Sequence, residues 1–304
     1  MDSKLNNSFI IPKRILLETV HGCNARCTMC PVHQPSKRKK GVMSFDTFKN
    51  VINQMSFHKD DISMVDLFGM GEPLLDKDLP NKIAYARIKG FRNIAIATNG
   101  DLLSKGLLTQ LYEAGLDTII FSIDGIQKET HEAIRIDTNF DRVVHNATAA
   151  IALRDEKGYA TRFVFRFIRQ ERNLAEWEGF REYWESLVSK EKGDKIIGYD
   201  MHTWGGEVNS PEIPKRQRIP EAVPCHHLFD RLIVLWDGTV AMCCADMHNA
   251  DYAYGNVRNA YPIEVFNSRS AQKNREIHNA GKRLSMKICA ECTILESEAI
   301  REVK

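Results

Sequence analysis

Two groups of cysteines stand apart in this chain of 304 residues. Cys23, Cys27 and Cys30 share one short segment with the spacing C-x3-C-x2-C. Cys225, Cys243, Cys244, Cys289 and Cys292 fall in the last third, with no cysteine between Cys30 and Cys225. In an oxidising compartment such a count would suggest disulfides, but clustering with a long cysteine-free middle points to metal or redox chemistry. Three thiolates on one tight loop can hold three irons of a cubane cluster and leave the fourth iron open to a ligand. A structural zinc site would need a fourth donor, for which His21 and His33 are at hand. Cys225, Cys243, Cys289 and Cys292 supply four thiolates, two of them from a C-x2-C pair. Four such ligands suit a fully coordinated four-iron cluster or a zinc ion, and composition alone does not separate the two.

The elements that must position these groups are legible from periodicity. Short runs rich in Ile, Val and Phe predict strands at Arg14–Val20, Ser63–Phe68, Asn93–Ala97, Thr118–Ile123, Arg162–Ile168 and Ile196–Met201. Between them lie helical patterns. Phe45, Phe48, Val51, Ile52 and Met55 share a face behind Ser44 as N-cap, and Leu174 to Val188 repeats the pattern with Trp177 and Trp184 as packing residues. Six β/α units in succession predict a parallel sheet with crossover helices, curled into a partial (β/α)6 barrel. In such a fold the chemistry sits at the C-terminal strand ends, where the first cysteine group falls.

A change of pattern near Gly205 predicts two units, 1–205 and 206–304. Gly205–Pro224 holds four prolines and reads as an open loop. Arg231–Trp236, Asp237-Gly238 and Thr239–Met242 then read as a hairpin with a primed turn, followed by a helix around Ile263–His278. A formal charge of +2 is too mild to imply nucleic acid. No apolar run is long enough for a membrane span, and the first twenty residues lack the plan of a signal peptide. The expectation is a cytoplasmic protein with a small-molecule substrate.

C-x3-C-x2-C after the first strand resembles the signature of radical S-adenosylmethionine (SAM) enzymes, and three further segments resemble that family's motifs in order. They are Phe68-Gly-Met-Gly-Glu-Pro73, Ala97-Thr-Asn-Gly100 and Phe121-Ser-Ile-Asp-Gly125. The resemblance, over roughly 14–205, implies a four-iron cluster on Cys23, Cys27 and Cys30 that cleaves SAM reductively to a 5′-deoxyadenosyl radical. It implies cofactor contacts from Gly69, Gly71, Glu72 (to the amino group), Pro73, Asn99, Ser122 and Asp124. Met29 stands where an aromatic residue is common and should pack against the adenine. A reduced flavodoxin or ferredoxin is the implied electron donor.

The later cysteines resemble the "twitch" domain, a shortened SPASM domain, which implies one auxiliary four-iron cluster on Cys225, Cys243, Cys289 and Cys292. The layout is similar to that of radical enzymes acting on aminocyclitols and aminoglycosides, a dehydrogenase and an epimerase among them. Cys244 is left over. It could be a buried small apolar residue, or could donate a hydrogen atom to a substrate radical and so invert a carbon centre. Without a donor, loss of a proton and an electron would give a ketone. Asp246 could act as a base or cap the hairpin exit. Arg166, His202 and Trp204, at or near strand ends, are candidate contacts to a sugar or aminocyclitol. Lys37-Arg38-Lys39-Lys40 reads as a solvated charge run. A peptide-modifying activity is the further alternative, disfavoured by a barrel that starts near residue 14. A non-enzymatic cluster carrier would leave Glu72, Asn99 and Ser122 unexplained.

Overall fold

A computed structural model describes residues 9–298. Residues 1–8, on which the signal-peptide expectation bears, and 299–304, the end of the second predicted unit, lie outside the described residues. Six parallel strands follow in chain order: β1 (Arg14–Leu17), β2 (Met64–Asp66), β3 (Ile94–Thr98), β4 (Thr118–Ser122), β5 (Arg162–Arg169) and β6 (Lys195–Asp200). Each matches a predicted strand to within a few residues. The crossovers run through α1 (Phe45–Met55), α2 (Leu79–Ile88), α3 (Lys105–Glu113), α4 (Lys128–Ile134), α5 (Phe140–Lys157) and α6 (Trp177–Glu185).

Local sequence explains these elements. The Ser44 hydroxyl accepts the Thr47 N–H at 3.1 Å and caps α1, whose Phe48, Val51, Ile52 and Met55 are buried. On β5 the phenylalanines at 163, 165 and 167 alternate outward into the helix layer, with Phe165 stacked on Trp184 of α6. The intervening positions, Arg166 among them, face the inside of the sheet's curve, as the parity of the sequence predicts.

The sheet does not stop at β6 and β1. β7 (Arg231–Val234) pairs in parallel with β1, register Arg14 to Arg231, and β8 (Thr239–Ala241) and β9 (Gly255–Asn256) continue antiparallel. Nine strands thus form one sheet, in the order β6-β5-β4-β3-β2-β1-β7-β8-β9. The hairpin is where the sequence predicts it, but its turn is not the primed two-residue kind. The Gly238 N–H bonds the Leu235 carbonyl at 2.9 Å, and Gly238 alone is left-handed at φ +87°. That is a three-residue turn ending in a glycine bulge.

The predicted helix around Ile263–His278 is two. After α7 (His227–Asp230), α8 (Pro262–Phe266) ends at Asn267 and Ser268 caps α9 (Arg269–Asn279), before α10 (Lys287–Glu291) and α11 (Ile294–Glu298). Residues 207–226 form no regular strand or helix, in keeping with their prolines. Among the described residues no helix is long and apolar enough to cross a membrane.

Candidate active site

A cavity of about 340 Å³ opens at the C-terminal ends of the parallel strands. Cys23, Cys27, Met29 and Cys30 line it, with Gly69, Gly71 and Glu72 after β2, Asn99 after β3, Ser122 at the end of β4 and Arg166 on β5. His202, Trp204 and Cys244 line it as well. Strands that are far apart in sequence thus bring most of the predicted site residues to one place.

The cysteine loop is held from several sides. Residues Arg26 and Cys27 pair as a two-residue ribbon with Arg135 and Ile136. This puts the Arg135 guanidinium 3.7 Å from the Cys27 sulfur, with its other nitrogen 2.7 Å from Asp124. The Ala25 N–H points at the Cys23 sulfur at 3.4 Å. Burial pushes the Cys23 and Cys30 thiols up to about 12 and raises Cys27 as well. Three thiols that resist ionisation alone, gathered on one loop with N–H and guanidinium groups aimed at their sulfurs, fit a cationic iron centre that offsets the burial. Of the two histidines offered as a fourth zinc donor, His21 turns Nδ1 to the Lys39 carbonyl at 3.0 Å and His33 turns Nε2 to the Ala25 carbonyl at 2.9 Å.

Glu72 sits in a cradle that only glycine permits. A Cβ on Gly71 would collide with the Val20 carbonyl and lie 2.6 Å from the Gly22 carbonyl, while the Glu72 N–H bonds Gly22 O at 2.9 Å. The Glu72 carboxylate accepts the Thr98 hydroxyl at 2.7 Å and the N–H groups of Asn99 and Leu74 at 2.9 and 3.1 Å. Burial nevertheless raises it to about 7. Asn99 donates to Asn24 at 2.9 Å. The Met29 carbonyl accepts the Trp204 indole N–H at 2.9 Å, and Trp204 holds a left-handed backbone at φ +50° to make that contact.

Three predicted contacts are not brought to the cavity. Asp124 is fully buried behind it, paired with Arg135 and accepting the Ile168 N–H at 2.7 Å. Arg135, which the sequence reading passed over, is the group that reaches the wall in its place. Pro73 starts a short 3-10 turn outside the lining. Asp246 faces away: its carboxylate accepts the N–H groups of Met242 at 3.1 Å and Tyr252 at 3.0 Å. The hairpin-capping reading of Asp246 therefore describes its geometry, because the 3-10 turn Cys244–Met247 rotates it off the cavity.

Arg166 donates to the Ser122 hydroxyl at 2.7 Å, and its Nε is buried without a partner. Burial disfavours its charge and lowers it from the usual arginine range. His202 is pulled down to about 4 by burial, so it stands neutral, its Nδ1 accepting the Trp204 N–H at 3.2 Å.

The later cysteines converge from three separate stretches. Cys243 and Cys289 are buried, and Cys225 and Cys292 pack against the same apolar cluster. His278, from α9, joins two of them: its Nδ1 accepts the Cys225 N–H at 3.1 Å and its Nε2 faces the Cys289 sulfur at 3.6 Å. The Ile294 N–H points at the Cys292 sulfur at 3.5 Å. Arg218, in the proline-rich loop, caps the carbonyls of Cys292 at 2.5 Å and Ala290 at 3.2 Å. Burial raises Cys289 to about 11 and Cys292 to about 12. Four such thiols fit a fully ligated cluster for the same reason as the first three.

Cys243 and Cys244 part company. Cys243 turns into the core, while Cys244 lines the cavity and packs, as Cys23 and Cys30 do, against the small apolar cluster that includes Met247. Its sulfur lies 3.2 Å from His227 Nδ1. Burial disfavours charge on either group, yet their mutual attraction raises His227 to about 9 and lowers Cys244. That attraction needs Cys244 as an anion: with Cys244 kept as a thiol it is absent, and burial favours the neutral His227 ring.

The charge run at 37–40 is not simply solvated. Arg38 is buried, its side chain 6% exposed, and pairs with the wholly buried Glu18 while also reaching the Met247 carbonyl. Ser36 donates to the His248 carbonyl at 2.6 Å. The segment straps the first cysteine loop to the hairpin that carries Cys243 and Cys244.

Comparison with known proteins agrees with this arrangement. Residues 17–163 match the radical SAM superfamily, and residues 225–293 match an iron–sulfur cluster-binding (SPASM) domain. The chain thus carries a radical SAM domain followed by a SPASM-type iron–sulfur cluster-binding domain, which bring SAM and four-iron clusters with them. Over 113 residues it is 36% identical to the Fe-coproporphyrin III synthase of Methanosarcina barkeri, a match covering 37% of this chain and 27% of that protein. Matched segments span about a quarter to a third of the first curated relatives, 27%, 31% and 34% of their lengths. Among solved structures, BtrN in complex with AdoMet and 2-DOIA superposes with a TM-score of 0.64 at 19% identity over 94% of both chains. Streptococcus suis SuiB bound to precursor peptide SuiA gives 0.64 at 14% identity, over 94% of this chain and 71% of that one. At these identities the structural likeness speaks for the fold.

Proposed function

We propose that the protein is a radical enzyme that abstracts a hydrogen atom from a carbon of a sugar or aminocyclitol and inverts that centre. Cys23, Cys27 and Cys30 would hold the cluster which, with SAM and a low-potential electron from a reduced flavodoxin or ferredoxin, would supply the 5′-deoxyadenosyl radical. Glu72 would take the cofactor's amino group, and Arg135 and Ser122 its remaining polar groups. Met29 packs the adenine side, with Trp204 fixing the Met29 backbone. Arg166, its Nε unpartnered, and neutral His202 offer donors to substrate hydroxyls.

The observation that carries the reading is the placement of Cys244. It is the one cysteine outside the two proposed ligand sets, and it lines the same cavity as Cys23, Cys27 and Cys30. A thiol there can give a hydrogen atom to a substrate radical. Oxidation to a ketone, with the auxiliary cluster accepting an electron, is the second reading, favoured by the closeness of Cys225 and Cys243 to Cys244. A peptide-modifying activity has fold likeness alone behind it, to peptide-bound SuiB among others.

The test is a panel of aminocyclitols and amino sugars offered to reduced, cluster-loaded protein in D2O. Inversion with one deuterium at the inverted carbon is expected, and Cys244→Ala should make 5′-deoxyadenosine but no epimer. An unchanged epimer yield in that variant contradicts the donor role, and a ketone from the wild-type protein favours the second reading.

A further inference from the structure

Cys244 does not meet the cavity alone. His227, two residues after Cys225, is 1% exposed and lines the same wall. Its Nδ1 lies 3.2 Å from the Cys244 sulfur, and its Nε2 lies 3.1 Å from a carboxylate oxygen of Glu298 on α11. A carboxylate at Nε2 selects the tautomer with the proton there, which leaves the Nδ1 lone pair aimed at sulfur. Arg231 of β7, 3.9 Å from the other Glu298 oxygen, holds the carboxylate in turn. These groups come from α7, β7, the 3-10 turn after β8, and α11, so the arrangement is a product of the tertiary fold.

We propose that His227, oriented by Glu298, is the positioning residue for Cys244: it accepts the S–H hydrogen bond and fixes the sulfur at the cavity wall. This rests on the reading of Cys244 as hydrogen-atom donor. In the transfer the S–H bond breaks homolytically, its hydrogen forms the new C–H bond on the substrate radical, and sulfur is left as a thiyl. The thiyl then takes one electron from the same class of low-potential reductant and one proton from solvent, restoring S–H. A cysteine side chain free to rotate would leave the substrate radical waiting. Displacement of a reacting group by about an ångström costs on the order of a hundred-fold in rate.

The measurements use anaerobic, cluster-loaded protein. With seven of the eight cysteines in the two ligand sets, Cys244 carries the one remaining S–H group. The infrared S–H band in the difference between wild type and Cys244→Ala should shift to higher wavenumber in His227→Ala. A band that stays where it was, or no band in the wild type, overturns the assignment without any substrate. With substrate, His227→Ala should raise the 5′-deoxyadenosine formed per epimer on the order of ten-fold or more. His227→Asn, whose amide oxygen can sit near the Nδ1 position, should recover part of the coupling. Iron content is measured alongside, and if His227→Ala loses cluster, His227→Asn against wild type decides. Full coupling in both variants with full iron overturns the proposal and leaves the donor reading intact. Epimer formation by Cys244→Ala overturns the donor reading itself.

Discussion

The two cysteine sites are built in opposite ways. The first gathers three cysteines from eight consecutive residues on one loop, and the cavity beside it is lined from the ends of β2, β3 and β4. The second gathers four cysteines spread over residues 225 to 292, joined by His278 and capped by Arg218. A local loop leaves one side open for a ligand, which suits reaction. A site closed by distant segments has no open side and depends on the folding of everything between them. The strap at Arg38 ties one to the other.

That contrast can be broken by substitution. The largest effect is expected from Cys27→Ala, which should abolish 5′-deoxyadenosine formation and lower iron from about eight to about four per chain, while the C-terminal half stays folded. Cys292→Ala should lose a similar amount of iron but also destabilise the chain, because metal binding there is coupled to folding. Its thermal transition should drop and proteolysis in the 207–226 loop should speed up, neither of which Cys27→Ala should match.

Arg38→Ala probes the strap. Removing one partner of a buried pair leaves Glu18 uncompensated and should cost about 3–5 kcal/mol in chemical denaturation. Glu72 sharpens the account of the open site. Because burial raises its carboxyl to about 7, it ionises as pH rises through that value. SAM binding by its ammonium should therefore strengthen between about pH 6 and about pH 8, and Glu72→Gln should flatten the profile and weaken affinity. Calorimetric titration across that range checks both. The smallest effect is expected from Trp204→Phe, which removes one hydrogen bond to the Met29 carbonyl. The cost is about 1 kcal/mol, or several-fold in SAM affinity.

The same contrast explains what could be read in advance. Cys23, Cys27, Cys30, Glu72 and Asn99 announce themselves through short motifs at strand ends, and the strands through their apolar runs. Arg135 does not: it meets Cys27 through a two-residue ribbon formed across more than a hundred positions. His278 and His227 gain meaning only once α9 and α11 have packed, although the nearness of His227 to Cys225 in sequence was a usable hint. Arg38 looked like a surface charge because its partner, Glu18, lies in an apolar stretch ending β1. Asp246 was misleading because a turn, not a strand, follows Cys243, so alternation no longer predicts which way a side chain faces.

The most direct test is iron and sulfide analysis of the anaerobically reconstituted protein, with 5′-deoxyadenosine measured after reduction in the presence of SAM. About eight irons per chain together with cofactor cleavage are expected. About four irons with zinc at the second site, or a fully loaded protein that makes no 5′-deoxyadenosine, would contradict that expectation.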